Sequence, residues 1–263
     1  MRSSCARLAW TLLLIPALMI GCGRAESKSA GASASPGSAR GQASTEAAAP
    51  KGADGPRRTV LFIGTSLTAG LGLEPEQAFP ALIQARIDSA GLPFTAVNAG
   101  LSGETAAGAR RRVESWLIRQ PFDVVVLETG SNDMLRGQPV DSTRAAIQAI
   151  VDTLRAVRPH APIVLAGMMA LPNLGRRYGE QFRAMYAGLA RKDSLVLIPF
   201  LLDGVGGDPA LNQPDGMHPN ETGERIVAAN VWRTLEPVLR AEAARPASAP
   251  SPEPASPPRP AAR

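Results

Sequence analysis

Cysteine, histidine and long apolar runs are scarce in this chain of 263 residues. Both cysteines, Cys5 and Cys22, lie near the N-terminus, so the rest of the chain offers no disulfide, cysteine nucleophile or thiolate metal site. The chain has two histidines, His160 and His218, which leaves few candidates for a general base. The one long apolar run, residues 8–20, is too short for a comfortable membrane span.

Basic residues are unevenly distributed along the chain. Residues 1–58 contain 8 Lys and Arg against 3 Asp and Glu, whereas residues 59–240 contain 17 against 18. A nucleic-acid-binding face needs basic residues gathered on a folded surface, and the central region is close to neutral. The charge distribution therefore argues against a nucleic-acid partner.

The N-terminal segment has the pattern of an export signal. Arg2 and Arg7 give a positive start, and the apolar run ends in Leu18-Met19-Ile20-Gly21-Cys22, which resembles a bacterial lipobox. This predicts an exported lipoprotein whose acylated Cys22 anchors it to a membrane. Gly23 after the cysteine favours the outer membrane, with the protein facing the periplasm. The alternative is a plain secretory signal that is cleaved further on.

Composition divides the chain into four regions. A signal peptide at 1–22 precedes a segment at 23–58 that is dominated by Ala, Ser, Gly and Pro and is predicted to be a disordered tether. Residues 59–240 are predicted to form the folded domain. Residues 241–263, rich in Pro and Ala, are predicted to be a disordered tail.

Short apolar segments alternate with helical patterns through the central region. This strict alternation predicts an α/β fold with a five-stranded parallel sheet covered on both faces by helices. Trp116, at the end of one helical segment, is expected to pack against the sheet. The predicted strands are 60–63, 94–98, 123–127, 163–166 and 195–198, and the predicted helices are 78–90, 105–119, 142–157, 180–191 and 220–239.

Ser66 is the candidate nucleophile. The buried strand pattern of residues 60–63 runs into Gly64 and then a small polar pair, so Ser66 is predicted on a turn at the carboxyl edge of the sheet. Ligands bind at this edge in open α/β sheets. The simpler alternative is a serine that only caps the next helix.

Asp215 and His218 are the candidates for the remaining members of a catalytic triad. They stand three residues apart before the last predicted helix, so the carboxylate can accept from one ring nitrogen and leave the other facing Ser66. The alternative is a capping Asp followed by an ordinary surface histidine. His160, just beyond a helix, is interpreted as a solvated residue.

Gly103 and Asn132 are candidate donors to an oxyanion. Each follows a predicted strand at the same edge as Ser66. Glycine lets a backbone N–H approach a substrate closely, and a side-chain amide can point at developing negative charge. Taken separately, the two residues fit a plain turn and an Asx turn equally well.

Four motifs together resemble the blocks of the SGNH (GDSL-like) hydrolases, and other stretches are similar to their bacterial arylesterase, thioesterase and lysophospholipase branch. The resemblance implies a flavodoxin-like three-layer α/β/α sandwich. It implies Ser66 as nucleophile, His218 as base and Asp215 as its orienter. The N–H groups of Ser66 and Gly103 and the Asn132 side chain would form the oxyanion hole. The four blocks are Gly64-Thr65-Ser66-Leu67, Gly103, Gly130-Ser131-Asn132-Asp133 and Asp215-Gly216-Met217-His218, and the branch stretches are Ser102–Thr105, Gly175–Tyr178 and Asp215–Asn220.

One position departs from the family pattern. Thr65 stands where the family name has Asp, and we expect it to change local hydrogen bonding rather than abolish activity. The Gly-x-Ser-x-Gly motif of the α/β-hydrolases is absent, because Thr68 occupies the place of its second glycine.

The predicted activity is hydrolysis of carboxylic esters or thioesters through an acyl-enzyme on Ser66, with no cofactor and no metal. The substrate is predicted to be a small ester or an acyl lipid, and a monomer is expected. Apolar residues after the fourth strand are expected to line an acyl pocket, or in part to pack under their own loop. These residues are Met168, Met169, Leu171, Leu174 and Tyr178.

Three other functions fit parts of the pattern. The same catalytic residues are compatible with deacetylation of a cell-envelope polysaccharide. Thr65 gives some support to a non-catalytic binding lipoprotein on the same fold. A metal-dependent hydrolase using Asp203, Asp208 and Asp215 is the weakest alternative, because no second histidine lies near these carboxylates in the sequence.

Overall fold

The computed structural model describes residues 57–245. The predicted signal peptide, the lipidation site at Cys22, nearly all of the tether and most of the tail therefore lie outside the described residues. Everything predicted about chemistry, from Ser66 to His218, lies within them.

Five parallel strands form a single sheet, as the alternating pattern predicts. The sheet order is β2-β1-β3-β4-β5, which is the flavodoxin-like order. Val60–Ile63 of β1 and the first four residues of β3 are buried on both faces, which explains why these segments are continuous apolar runs. The strands are β1 (Arg58–Gly64), β2 (Phe94–Gly100), β3 (Val124–Glu128), β4 (Ile163–Ala166) and β5 (Val196–Ile198).

Helices cover both faces of the sheet. α2 packs with α7 on one face, whereas α3, α5 and α6 pack in sequence on the other, giving three layers. Within residues 57–245 no helix combines the length and apolarity needed to cross a membrane. The helices are α1 (Ser66–Ala69), α2 (Phe79–Ser89), α3 (Ala106–Ser115), α4 (Ser131–Leu135), α5 (Val140–Val157), α6 (Arg176–Asp193) and α7 (Glu221–Ala243), with 3₁₀ turns at Pro75–Gln77, Leu117–Arg119 and Pro172–Leu174.

Three helix boundaries differ from those predicted by more than two residues. α3 ends at Ser115, and Trp116, whose φ of −146° is not helical, is 47% exposed instead of packed on the sheet. Leu117 is the residue that is buried there. α6 begins at Arg176, four residues before the predicted start, directly after Gly175 at φ 84°. α7 continues to Ala243, three residues beyond the predicted end of the domain.

The strand order opens a crevice between β1 and β3. The chain leaves β1 through α2 on one face, and it leaves β3 through α5 on the other face. The carboxyl ends of these two neighbouring strands therefore border the switch point at which ligands bind in such sheets. Ser66 directly follows β1, and Asn132 lies four residues after the end of β3.

Candidate active site

Ser66 is the first residue of the short helix α1, directly beyond the end of β1. Thr65 is the extended N-cap residue, and Ser66 itself is 8% exposed. Gly64 is required at the end of the strand, because a Cβ at this position would clash with Thr68 and with the carboxyl group of Glu128. The turn therefore passes close to the neighbouring strand and holds the Ser66 hydroxyl at the sheet edge.

His218 connects Ser66 to Asp215. The Ser66 Oγ lies 2.8 Å from His218 Nε2, and His218 Nδ1 lies 2.6 Å from Asp215 Oδ2. Because an ionised carboxylate only accepts, the proton of the neutral imidazole belongs on Nδ1. Nε2 then accepts from the Ser66 hydroxyl, which is the arrangement of a general base facing a nucleophile.

Asp215 is held by the backbone of its own loop. Its Oδ1 accepts from the N–H groups of Met217 at 2.9 Å and His218 at 3.0 Å. These bonds, the His218 N–H first, and then the His218 side chain lower the pKa of Asp215 from 3.8 to about 2. Asp215 is therefore a carboxylate at neutral pH, able to accept from Nδ1 even though its side chain is 41% exposed.

The loop that carries His218 is closed at its base and tied to the nucleophile side. Asn212 and Pro219 form an isolated antiparallel bridge that brings the two ends of the loop together. The Gln213 side-chain amide donates to the carbonyl of Pro219 at 2.9 Å and to that of Leu71, beyond α1, at 2.7 Å. Asn220 then caps α7 by accepting from the N–H groups of residues 222 and 223.

Gly103 and Asn132 come together beside the crevice. Gly103 has φ 77°, the left-handed region that favours glycine. The Asn132 amide donates to the Glu104 carbonyl at 3.1 Å, which joins the start of α4 to the loop after β2. One N–H of this amide is used in that bond, and the amide has a second. Arg136 donates to the Gly103 carbonyl at 3.0 Å and so fixes the orientation of that peptide.

A half-buried ion pair supports the Gly103 loop from the side of α3. Arg112 makes a two-pronged contact with Glu104, with Nε to Oε1 at 2.9 Å and Nη2 to Oε2 at 2.6 Å. Asp133 adds a second connection by accepting from the Ala106 N–H at 2.7 Å. Sequence reasoning did not identify these contacts, because each joins residues from different elements.

Glu128 is the second group that sequence reasoning missed. It is the last residue of β3, and it accepts from the Thr65 N–H at 2.7 Å and from the hydroxyls of Thr65 and Thr68. Burial raises the pKa of Glu128, while the hydrogen bonds from the two threonines act to lower it. Thr65, the departure from the family pattern, therefore takes part in the hydrogen bonding around Glu128; that this differs from an Asp at the same position stays a prediction. The available signal was an acidic residue directly ending the apolar run of β3.

The apolar residues predicted to line an acyl pocket occupy different environments. Met168 is buried in the core, whereas Met169 and Leu171 are exposed. Leu174 and Tyr178 are partly buried against the core, and the Tyr178 hydroxyl donates to the Gln138 carbonyl at 2.9 Å. Contact of these side chains with an acyl chain stays a prediction.

The acidic residues of the last long loop do not gather into a metal-binding group. Within residues 57–245 no cluster of three or more His, Asp or Glu side chains has the geometry to hold a metal ion. Asp208 accepts from the Ala210 N–H at 2.9 Å, as an ordinary turn residue does, and Asp215 is engaged by His218.

Comparison with known proteins identifies related enzymes. Residues 62–226 match the model of the GDSL-like lipase/acylhydrolase family. The chain is 37% identical over 182 residues to esterase TesA of Pseudomonas aeruginosa, which covers 69% of this chain and 90% of that protein. It is 32% identical to thioesterase 1/protease 1/lysophospholipase L1 of Escherichia coli K12, over 69% of this chain and 85% of that protein.

The fold agrees with these relatives. A crystal structure of TesA superposes with a TM-score of 0.66 and 36% sequence identity, covering 69% of this chain and 99% of that one. The matched region includes both ends of the site, from β1 before Ser66 to the start of α7 after His218. The chain therefore belongs to the GDSL-like lipase/acylhydrolase family and is an ester-hydrolysing serine hydrolase.

Proposed function

We propose that Ser66, His218 and Asp215 are the catalytic triad of this ester hydrolase, and that the reaction passes through an acyl-enzyme on Ser66. One observation carries the proposal. A line of two hydrogen bonds, 2.6 Å and 2.8 Å long, joins Asp215 to His218 and His218 to Ser66 across 152 residues of chain. Nucleophile, base and orienter are the three groups that acyl transfer requires.

The proposed reaction has two symmetrical halves. In the first, Ser66 Oγ bonds to the ester or thioester carbonyl carbon while His218 Nε2 takes the hydroxyl proton. The bond from that carbon to the leaving oxygen or sulfur then breaks, and His218 returns the proton to the leaving group. In the second half a water molecule attacks the acyl-enzyme with the same proton transfers, which releases the acid and restores Ser66.

The oxyanion of each tetrahedral intermediate is proposed to be bound by the N–H groups of Ser66 and Gly103 and by the free N–H of the Asn132 amide. Support for this role comes from the rigidity of the donors. Arg136 bonds the Gly103 carbonyl, on the peptide after the proposed donor N–H, and Asn132 is held by its bond to the Glu104 carbonyl. Donors that are fixed before the reaction stabilise developing charge without reorganisation, which makes such sites effective.

We propose that the acyl group is apolar. The supporting observation is that large exposed apolar side chains lie on several separate loops that follow the strands, at the same edge of the sheet as Ser66. Exposed apolar groups gathered at one place indicate a binding surface for an apolar partner or substrate. These side chains are Leu71, Leu101, Met169, Leu171 and Met217, all at least 40% exposed.

The experiment measures hydrolysis of p-nitrophenyl esters from acetyl to dodecanoyl by the full-length protein, beside its Ser66→Ala variant. We expect kcat/KM to rise from acetyl to medium chains, and the variant to lose at least about 10⁴-fold in kcat. Equal rates in both proteins would reject Ser66 as the nucleophile. Hydrolysis of acetylated sugars alone would favour the polysaccharide deacetylase instead.

We also propose that the enzyme is a monomer. A further proposal is that the protein is a bacterial lipoprotein, anchored through acylated Cys22 to the periplasmic face of the outer membrane. The lipobox-like stretch Leu18–Cys22 and the Ala, Ser, Gly and Pro content of residues 23–58 support an anchor followed by a tether. Cys22→Ser should move the protein from the membrane pellet to the soluble fraction. Unchanged partitioning would reject the anchor without affecting the proposed chemistry.

A further inference from the structure

We infer that Glu128 is a positioning residue for Ser66: its buried carboxyl group fixes the turn that presents the nucleophile to His218. The inference rests on the proposed role of Ser66. Glu128 itself does not contact the position that a substrate would occupy, since it lies beneath the turn at the end of β3.

The contacts of Glu128 enclose Ser66 on both sides along the chain. Thr65, the residue before Ser66, donates its backbone N–H at 2.7 Å and its hydroxyl at 2.9 Å to Oε2. Thr68, two residues after Ser66, donates its hydroxyl to the same oxygen at 3.0 Å. A single carboxyl group on the neighbouring strand therefore binds the turn at two points and restricts its rotation about the end of β1.

Solvent cannot take over these bonds. Glu128, Thr65 and Thr68 are each about 1% exposed, so an apolar residue in place of Glu128 would leave the Thr65 N–H buried without a partner. Such an unsatisfied group is costly, and the turn can avoid this cost only by moving. Movement of the turn would change the 2.8 Å distance between Ser66 Oγ and His218 Nε2.

Burial of an acidic group is itself unfavourable. The buried position of Glu128 beneath the Ser66 turn therefore needs an explanation. Among the ion pairs formed within residues 57–245, none involves Glu128. Burying an ionisable group without a cationic partner costs free energy, which its hydrogen bonds offset only in part. A buried carboxyl group at this point is therefore explained better by what it orients than by what it adds to stability.

Glu224 provides a matched control within the same domain. It is also about 1% exposed, and its Oε2 also accepts a backbone N–H at 2.7 Å, that of Phe79. This bond joins α7 to the start of α2 and does not touch the Ser66 turn. Any loss that comes only from disturbing a buried carboxyl group should appear equally in variants of both residues.

The test compares Glu128→Met and Glu128→Gln with Glu224→Met and Glu224→Gln in the full-length protein. Glu128→Met should lower kcat by about tenfold to a hundredfold with KM nearly unchanged, because misplacing the nucleophile affects the transition state more than binding. Glu128→Gln should recover kcat to within about threefold, since its amide can reproduce all three contacts. Both Glu224 variants should change the melting temperature while leaving kcat as in the parent.

A second measurement uses a fluorophosphonate probe that labels an activated serine without requiring the natural substrate. Labelling should slow in Glu128→Met by the same factor as kcat and stay at the parental rate in Glu224→Met. Parental kcat and labelling in Glu128→Met, or an equal loss in Glu224→Met, would overturn the inference. Labelling of Ser66→Ala at the parental rate would instead reject the proposed nucleophile.

If Glu128→Met does not fold, Thr65→Val tests the same contact with less disturbance. This change removes the hydroxyl from Glu128 but keeps the backbone bond. We expect kcat to fall about threefold to tenfold, the value of one buried hydrogen bond, with KM unchanged. A folded Thr65→Val protein with parental kcat would overturn the inference on its own.

Discussion

The two halves of the catalytic site are built in different ways. Ser66 is nearly buried, and its turn is bound by Glu128, a residue 63 positions away from Thr65 on a central strand. Asp215 and His218 are only three residues apart, are partly exposed, and are held mainly by hydrogen bonds within their own loop. The nucleophile is thus part of the core, whereas the base belongs to a local loop.

This difference has a physical consequence for mutation. Contacts beneath Ser66 also hold two strands together, so breaking them should affect both folding and turnover. Contacts around His218 are short-range and solvent-accessible, and open loops of this kind contribute little to global stability. Changes in the base loop should therefore reduce activity while the protein stays folded.

Asp215→Ala is expected to give the largest effect and to test this separation most directly. Without the carboxylate, His218 loses the group that fixes its tautomer and orientation, and kcat should fall about 10³- to 10⁴-fold. The melting temperature should change little, because Asp215 bonds only to residues 217 and 218. Thermal unfolding followed by circular dichroism, beside steady-state kinetics, checks both parts. A large loss of stability would show that the base loop is not local.

Asn132→Ala should have the next largest effect on kcat. Asn132 lies between the two halves of the catalytic site. Loss of one oxyanion donor typically lowers kcat by about a hundredfold or more, with a smaller change in KM. Arg136→Gln is the control, since Arg136 lies directly after α4 and contacts the same loop through the Gly103 carbonyl. Because Arg136→Gln removes the bond to the Gly103 carbonyl but no oxyanion donor, its kcat should fall less than that of Asn132→Ala, by about threefold to tenfold. Equal losses of kcat in Asn132→Ala and Arg136→Gln would indicate that both changes act by loosening the Gly103 loop and not by removing an oxyanion donor.

The difference between the two halves also explains what could be predicted from the sequence. Asp215 and His218 are close in the chain, so their spacing allowed the contact, and the resemblance to the SGNH hydrolases favoured it over a capping Asp beside a surface histidine. Ser66 and Asn132 follow apolar strand patterns, and the rule that parallel strands end at one edge predicted their proximity. The five strands themselves were predicted well because buried parallel strands are continuous apolar runs.

The supporting contacts could not be predicted in the same way. Glu128 meets Thr65 across 63 residues, and Glu224 meets Phe79 across 145, so no local pattern connects them. The early end of α3 before Trp116 has the same origin. Leu117, rather than the tryptophan, fits the buried position there, and that choice depends on tertiary packing and not on helical spacing.

Glu224 also makes a testable prediction about pH. Burial raises the pKa of Glu224 from 4.5 to about 8, so the folded protein binds a proton that the unfolded chain releases above pH 4.5. The contribution of Glu224 to the free energy of unfolding is fully present below pH 4.5 and is lost as the pH rises toward 8. Between pH 5 and pH 7 the parent should lose on the order of 2 to 3 kcal/mol relative to Glu224→Gln.

Urea unfolding of both proteins at several pH values measures this difference. The two stability curves should converge near pH 5 and separate as the pH rises, with Glu224→Gln the more stable protein at neutral pH. Parallel curves would mean that Glu224 is not the group that titrates.

Gln213→Ala should give the smallest effect, and it examines the connection between the two halves. The Gln213 amide binds the base loop at Pro219 and the nucleophile side at Leu71, where it packs directly on Gly72. Two partly exposed hydrogen bonds at the low end of the usual range are worth about 0.5 kcal/mol each, or about 1 kcal/mol together, so kcat should fall about fivefold if this connection sets the distance from His218 to Ser66. The loss should appear in kcat, because the amide bonds the backbone carbonyl of Leu71 and not its side chain. Unchanged kcat would mean that each half is held in place by its own contacts alone, which would make the separation between core and loop complete.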